Sequence, residues 1–280
     1  MTYKTLMVEL SVGESNKQRL EIAASLAHSL NAAVIGIAGC QPMAMAYGDG
    51  YYSGEAVQDD RDELDVEIKA AEAEFRCAFS ETAYGGSSTS PGWHAAVVFE
   101  TIAQYVSRRA SGADLIITGH SVNTSPRSTR SADIGDLIME AGRPVLVLPP
   151  GATTLSLQRV LIAWKDSREA RRAIVDALPL LKRAEHVVLA QFVKRADIDL
   201  ETERMSHVGR WLEQHDVHAE LMTFPSVGED PTSLYNLIEE QHVGLVVAGA
   251  YGHSRFQEWV LGGVTRDLLL HQSHCSLLSH

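Results

Sequence analysis

The feature that most constrains this chain is that one apolar unit is written twice. Ala113-Asp-Leu-Ile-Ile-Thr-Gly119 matches Val243-Gly-Leu-Val-Val-Ala-Gly249 at an offset of 130. At the same offset, Arg143-Pro-Val-Leu-Val-Leu-Pro-Pro150 falls on Ser273-His-Cys-Ser-Leu-Leu-Ser-His280. Near the starts, Lys4-Thr-Leu-Met-Val-Glu-Leu10 resembles Arg159-Val-Leu-Ile-Ala-Trp164, now at about 154. The 24-residue difference implies an insertion in the first half, and Gln41–Asp60, rich in Gly, Tyr, Ala and Met, is the candidate. A chain of 280 residues then holds two domains, 1–150 and 159–280, each large enough to bury a core. The Gly/Thr/Ser stretch 151–158 after Pro149-Pro150 reads as the linker.

Within each half, apolar strands alternate with helical patterns. This predicts a parallel sheet covered on both faces, because the crossover helices lie over it. In the second half the strands read as Val160–Trp164, His186–Val193, His218–Phe224, Leu245–Gly249 and Cys275–Leu278. The helices between them read as Ser167–Lys182, Leu200–His215, Pro231–Gln241 and Val264–His271. Ser167 and Asp230 are expected N-caps, with Pro231 at a first helical position. The first half repeats the order, with strands near 4–10, 32–38, 92–98, 113–119 and 144–148.

The chemistry-bearing motif lies between the fourth and fifth strands of the second half. Gly249-Ala-Tyr-Gly252 is followed, after nine residues, by Gly262-Gly263-Val264-Thr265. An apolar strand precedes it and a helix start follows it. Strand, glycine-punctuated loop and helix N-terminus together hold phosphate: glycine permits close backbone approach, and free N–H groups meet the anion. The spacing matches neither a Walker A loop nor a G-x-G-x-x-G fingerprint. The competing reading is a glycine-rich turn with no ligand.

The spacing G-x-x-G-x9-G resembles the nucleotide motif of the universal stress protein family. Five strands with four helices, twice, resemble its tandem form over nearly the whole chain, as does Trp164-Lys-Asp-Ser-Arg-Glu-Ala170 after strand one. The resemblance implies two Rossmann-like α/β domains and ATP at the second, with phosphates on Gly249, Gly252, Gly262, Gly263, Val264 and Thr265. His253, inside the loop, and Lys165, after strand one, are further candidates for ligand contact. Magnesium is left open.

Departures from the motif matter. Gly263 replaces the hydroxyl residue after the last glycine, and Lys165 stands at the strand-one Asp position. In the first half the corresponding loop has Val122 and Ala132 in place of glycines and Asp133 at the hydroxyl position, while Ser11 takes the strand-one Asp position. A carboxylate at a helix N-terminus caps it and occupies the place of an anion. The first half is therefore expected not to bind ATP in the family's manner.

Formal charge is −12 with pI near 5.4 and no basic run, which argues against a nucleic-acid partner. The three cysteines, Cys40, Cys77 and Cys275, form no C-x-x-C pair and suit a reducing compartment. No signal peptide or bilayer-length apolar run is apparent, so a cytoplasmic protein is expected, with no membrane partner. The resemblance also implies that last strands meet, here Val145–Leu148 with Ser276–Leu278, as an intramolecular pseudo-dimer; a homodimer is left open.

His271-Gln-Ser-His274-Cys275 offers zinc-ligand types, but it ends a helix and enters a strand, and His near a helix C-terminus suits the dipole by itself. No G-x-S-x-G elbow is present. Three functions compete. The leading one is a stress-associated regulatory protein binding one nucleotide, in its second half, through which it biases contact with a protein partner that the sequence does not name. Another is a scaffold that binds none. The third is a nucleotide hydrolase, with Asp166 or Glu258 as its acid.

Overall fold

The computed structural model describes residues 2–42, 54–80, 91–120, 129–225, 231–250 and 274–280. They fall into two compact units, Tyr3–Thr154 and Leu155–His280, the latter joined by Thr2.

The first unit runs β1 (Thr5–Leu10), α1 (Lys17–Leu30), β2 (Ala33–Cys40), α2 (Gly54–Ala78), β3 (Gly92–Val97), α3 (Ile102–Arg109), β4 (Leu115–Gly119), α4 (Ile134–Glu140) and β5 (Val145–Leu148). Its strands are all parallel, in the order β3-β2-β1-β4-β5. The second unit runs β6 (Arg159–Ala163), α5 (Arg168–Leu181), β7 (His186–Val193), α6 (Ile198–Glu213), β8 (Ala219–Pro225), α7 (Pro231–Glu240), β9 (Leu245–Gly249) and β10 (Cys275–Ser279). Its parallel order is β8-β7-β6-β9-β10. Each sheet reverses its winding between the first and fourth strands.

The central strands are mostly apolar because helices cover both faces, with Glu9 in β1 and Thr118 in β4 as buried polar exceptions. All five residues of β4 are buried, as are the four of β5. Along α1 the buried set is Leu20, Ile22, Ala23, Leu26, Ala27 and Leu30, one face of a 3.6-residue period. Asn31 stops that helix in the left-handed region at φ 51°, and its N–H meets the carbonyls of Ala27 and His28. Ser167 caps α5 as its sequence position predicts, its hydroxyl accepting from the Ala170 N–H.

Strand expectations agree with the structure to within two residues, and β7 and β9 fall on the expected ranges. Helix α6 begins at Ile198 rather than Leu200, behind a short 3-10 turn at Arg195–Asp197. Of the segment expected as an insertion, residues 54–60 open the 25-residue α2, where the second unit has the 16-residue α6. Residues 43–53, Asp230 and the helix expected at 264–271 lie outside the described residues. Among the described residues no helix is long and apolar enough to cross a membrane.

Register fixes which residues correspond. Leu6 lies beside Leu115 and Val160 beside Leu245, so Glu9 stands where the second unit has Ala163. By the same pairing Thr118 corresponds to Ala248 and Gly119 to Gly249. Lys17 and Arg168 each open a 14-residue helix, which sets Arg19 against Ala170.

Candidate functional site

In an open parallel sheet the crevice lies beyond the carboxyl ends of the strands at the reversal point. In the first unit that place is the end of β1 and β4, and the chain itself fills it. Glu9 is fully buried on β1. Its Oε2 accepts from the Thr118 hydroxyl at 2.8 Å and from Arg19 Nη1 at 3.0 Å. Its Oε1 accepts from the Ala132 N–H at 3.1 Å. Three donors on a buried carboxylate are what burial of a charge requires.

Arg19 reaches across from α1 with its side chain only 10% exposed. It also donates to the Glu9 carbonyl, to the Gly119 carbonyl at 3.3 Å and to the Ser11 hydroxyl at 3.4 Å. The loop that leads into α4 is fastened over this cluster. The Val12 N–H donates to the Arg130 carbonyl at 2.7 Å, and the Gln41 N–H to the Thr129 carbonyl at 2.8 Å. Helix α2 adds Glu67, paired with Arg130 at 2.7 Å.

The loop after β1 is equally committed. The Asn16 side chain accepts from the Ser11 N–H and donates to the Ser11 carbonyl, both at 2.9 Å. Ser11, at the strand-one Asp position, is thus buried and held at its backbone. Asp133 caps α4 as anticipated, accepting from the Asp136 N–H at 2.9 Å. Ala132 is buried; Val122 lies outside the described residues. His120, just past β4, has its pKa lowered to about 4 by burial and by the nearby Arg19 guanidinium.

The corresponding place in the second unit is built from small residues. Ala163, Ala170 and Ala248 stand where the first unit has Glu9, Arg19 and Thr118. Gly249 is required by packing: a Cβ there would lie 2.4 Å from the Ala170 backbone N. This brings the N-terminal turn of α5 directly against the end of β9. That turn carries a buried acid, Glu169, paired with Arg168 at 3.0 Å. Burial opposes its ionisation, but its own backbone N–H, Arg168 and the Ser167 hydroxyl outweigh burial and hold its pKa below the usual carboxylate range.

Lys165 sits exposed in the loop between β6 and α5, one residue before the ion pair of Asp166 with Arg171 (3.0 Å to Nε). At the carboxyl ends of β7 and β8, Phe192 and Phe224 stack with centroids 5.2 Å apart. A separate cleft of about 730 Å³ opens between α5 and α6, where Trp164, Ile174, Val175, Val208 and Trp211 face Arg171 and Arg204. Gly252, His253, Gly262, Gly263, Val264 and Thr265 lie outside the described residues, as do Glu258 and His271.

His274 and Cys275 do not share a site. His274 Nε2 pairs with Glu239 at 3.2 Å, while Cys275 is buried in β10 with its thiol pKa raised to about 11 by burial. Among the described residues no three metal-ligating side chains converge.

Glu9 and Arg19 are the residues that sequence reading missed. Sequence offers only a general signal, that a carboxylate inside a strand buried on both faces needs a partner; that Arg19, in the first turn of the next helix, is the partner comes from the fold.

No protein-family profile matches the chain, and no curated protein sequence matches it significantly. Solved structures do. A universal stress protein from Archaeoglobus fulgidus superposes with TM-score 0.70 at 12% identity, over 98% of this chain and 95% of that one. A functionally unknown protein from Pseudomonas aeruginosa gives 0.58 at 14%, over 99% and 92%. A putative universal stress protein from the same species gives 0.58 at 13%, over 99% and 93%. The chain has the α/β fold of tandem universal stress proteins.

Proposed function

We propose that this protein is a regulatory binding protein of the universal stress type, taking one ATP or related nucleotide per chain, in its second unit. The observation that carries the reading is the contrast at the two reversal points. The first is occupied by Glu9, Arg19 and Thr118, bonded to one another and to the overlying loop. The second has alanine at all three positions, and the sequence beyond it runs through Gly252, Gly262 and Gly263 into Val264 and Thr265.

A triphosphate needs backbone N–H donors and room for close approach, and the second motif supplies glycine for both. Lys165 and His253 are the side chains of this site that would add contacts, Lys165 toward the anionic end. Ligand occupancy would act by favouring one arrangement of the glycine loop over another, and so of the surface it presents to a protein partner.

The test is calorimetric titration of the full chain and of Gly262→Asp with ATP, with and without magnesium. Gly262→Asp puts a Cβ and a fixed negative charge where phosphate approaches. Binding that is lost in the variant supports the site. Equal affinity in a folded Gly262→Asp protein rules the site out, and no binding by the native chain favours the scaffold reading.

A further inference from the structure

We infer that Glu9 is a built-in anion: its carboxylate fills an oxyanion site of the first unit and keeps that unit in a ligand-closed form without any ligand. The donor set around Glu9 is of the kind that recognises a free carboxylate: one guanidinium, one hydroxyl and one backbone N–H from the residue just before a helix cap. The N–H belongs to Ala132, the counterpart at offset 130 of Gly262 in the second unit's motif. In the first unit the donor at this motif position is spent on a tethered carboxylate.

The rest of the geometry agrees. The carboxylate is fully buried and both its oxygens are used, so nothing beyond the chain is needed to complete it. The Val12, Gln41 and Ala132 N–H bonds fasten the loop over the ends of β1 and β2. Two of these are backbone to backbone and the third ends on the Glu9 carboxylate, while Arg130 of the same loop pairs with Glu67. The second-unit counterpart of Glu9, Ala163, supplies no charge at that position.

The inference makes a latent site of defined chemistry. Removing the Glu9 side chain leaves Arg19 buried without its anion, which is strongly unfavourable, and leaves a carboxylate-sized space lined by three donors. A small free carboxylate, formate or acetate, should fill it. This does not depend on whether the second unit binds nucleotide, so the two ideas fail separately.

The experiment is chemical rescue in the full chain. Thermal unfolding of native protein, Glu9→Ala and Glu9→Ala/Arg19→Ala is followed against formate, with chloride at equal ionic strength as the control. Glu9→Ala should be rescued by formate in a saturable way, recovering most of its loss in Tm, while native protein and the double variant respond no more to formate than to chloride. Phosphate, too large for the space, should rescue less than formate. If Glu9→Ala does not fold unaided, its yield on dilution from urea into formate or chloride gives the same reading. Equal response of Glu9→Ala to formate and chloride, or equal formate rescue of the double variant, would overturn the inference.

Discussion

The two units share strand order and register, yet their carboxyl edges are made in opposite ways. In the first, a charged triad is sunk into the sheet and the overlying loop is bonded down to it. In the second, alanines take those positions, and the helix α5 moves in until only glycine fits at 249. One fold can thus finish the same sheet edge with a buried, fully bonded charge or with small residues and close helix packing.

The largest effect should come from breaking the triad on one side. Arg19→Ala leaves Glu9 as an uncompensated buried charge and should cost about 3–5 kcal/mol, read by urea unfolding of the first unit's transition. The same residue type at Ala170 is already native in the second unit. A cost under about 1 kcal/mol would show that the pair is not what holds this edge.

Next is the pair of glycines that end β4 and β9. Gly249→Ala meets backbone at 2.4 Å and should cost at least about 1–3 kcal/mol from overpacking. Gly119→Ala meets the Arg19 guanidinium at 3.1 Å, a side-chain end, and should cost less. Reversal of that order would mean α5 can retreat from β9.

The pH response should also divide the halves. His120 has a folded pKa near 4, below its ordinary 6.5, so the unfolded chain takes up a proton first as pH falls. Stability from this group is complete above about pH 6.5 and is lost as pH falls toward 4, by linkage. Allowing for solvent at the partly exposed ring, the loss is on the order of 1–2 kcal/mol. Ala250 stands at the same position in the second unit and has nothing to titrate. His120→Gln should flatten the slope over that window; an unchanged slope would assign it to other groups.

The smallest effect should be nearly symmetric. Ser167→Ala and Asp133→Ala each remove an N-cap, bonded at 3.2 and 2.9 Å, and should cost about 1 kcal/mol apiece. A much larger loss at Asp133 would mean that it supports the Glu9 cluster as well as its own helix.

Much of this contrast was legible in the sequence. The 130-residue offset, the strand ranges and the N-caps Ser167 and Asp133 follow from local pattern and residue chemistry, and they agree with the structure. From the missing first-half glycines and Asp133 the sequence leads only to the expectation that the first half does not bind ATP in the family's manner. The Glu9 cluster was not legible, because in Thr5–Leu10 a single acid reads as one polar residue in an apolar strand. The role of Glu9 depends on Arg19, Thr118 and Ala132, which are brought together only by the β1–β4 pairing. Gly249 was read as a ligand contact, whereas the close approach of α5 already accounts for it. The length of α2 was equally hidden, since the residues before Asp60 gave no cap or periodic signal.

The most direct test of the central claim is the number of nucleotides bound per chain. Calorimetric titration of native protein with ATP should give a stoichiometry of one, and the Glu9→Ala chain in formate should give the same number. Two equivalent sites in the native chain would contradict the account, because the first unit's crevice would then have to open against Glu9, Arg19 and the bonded loop.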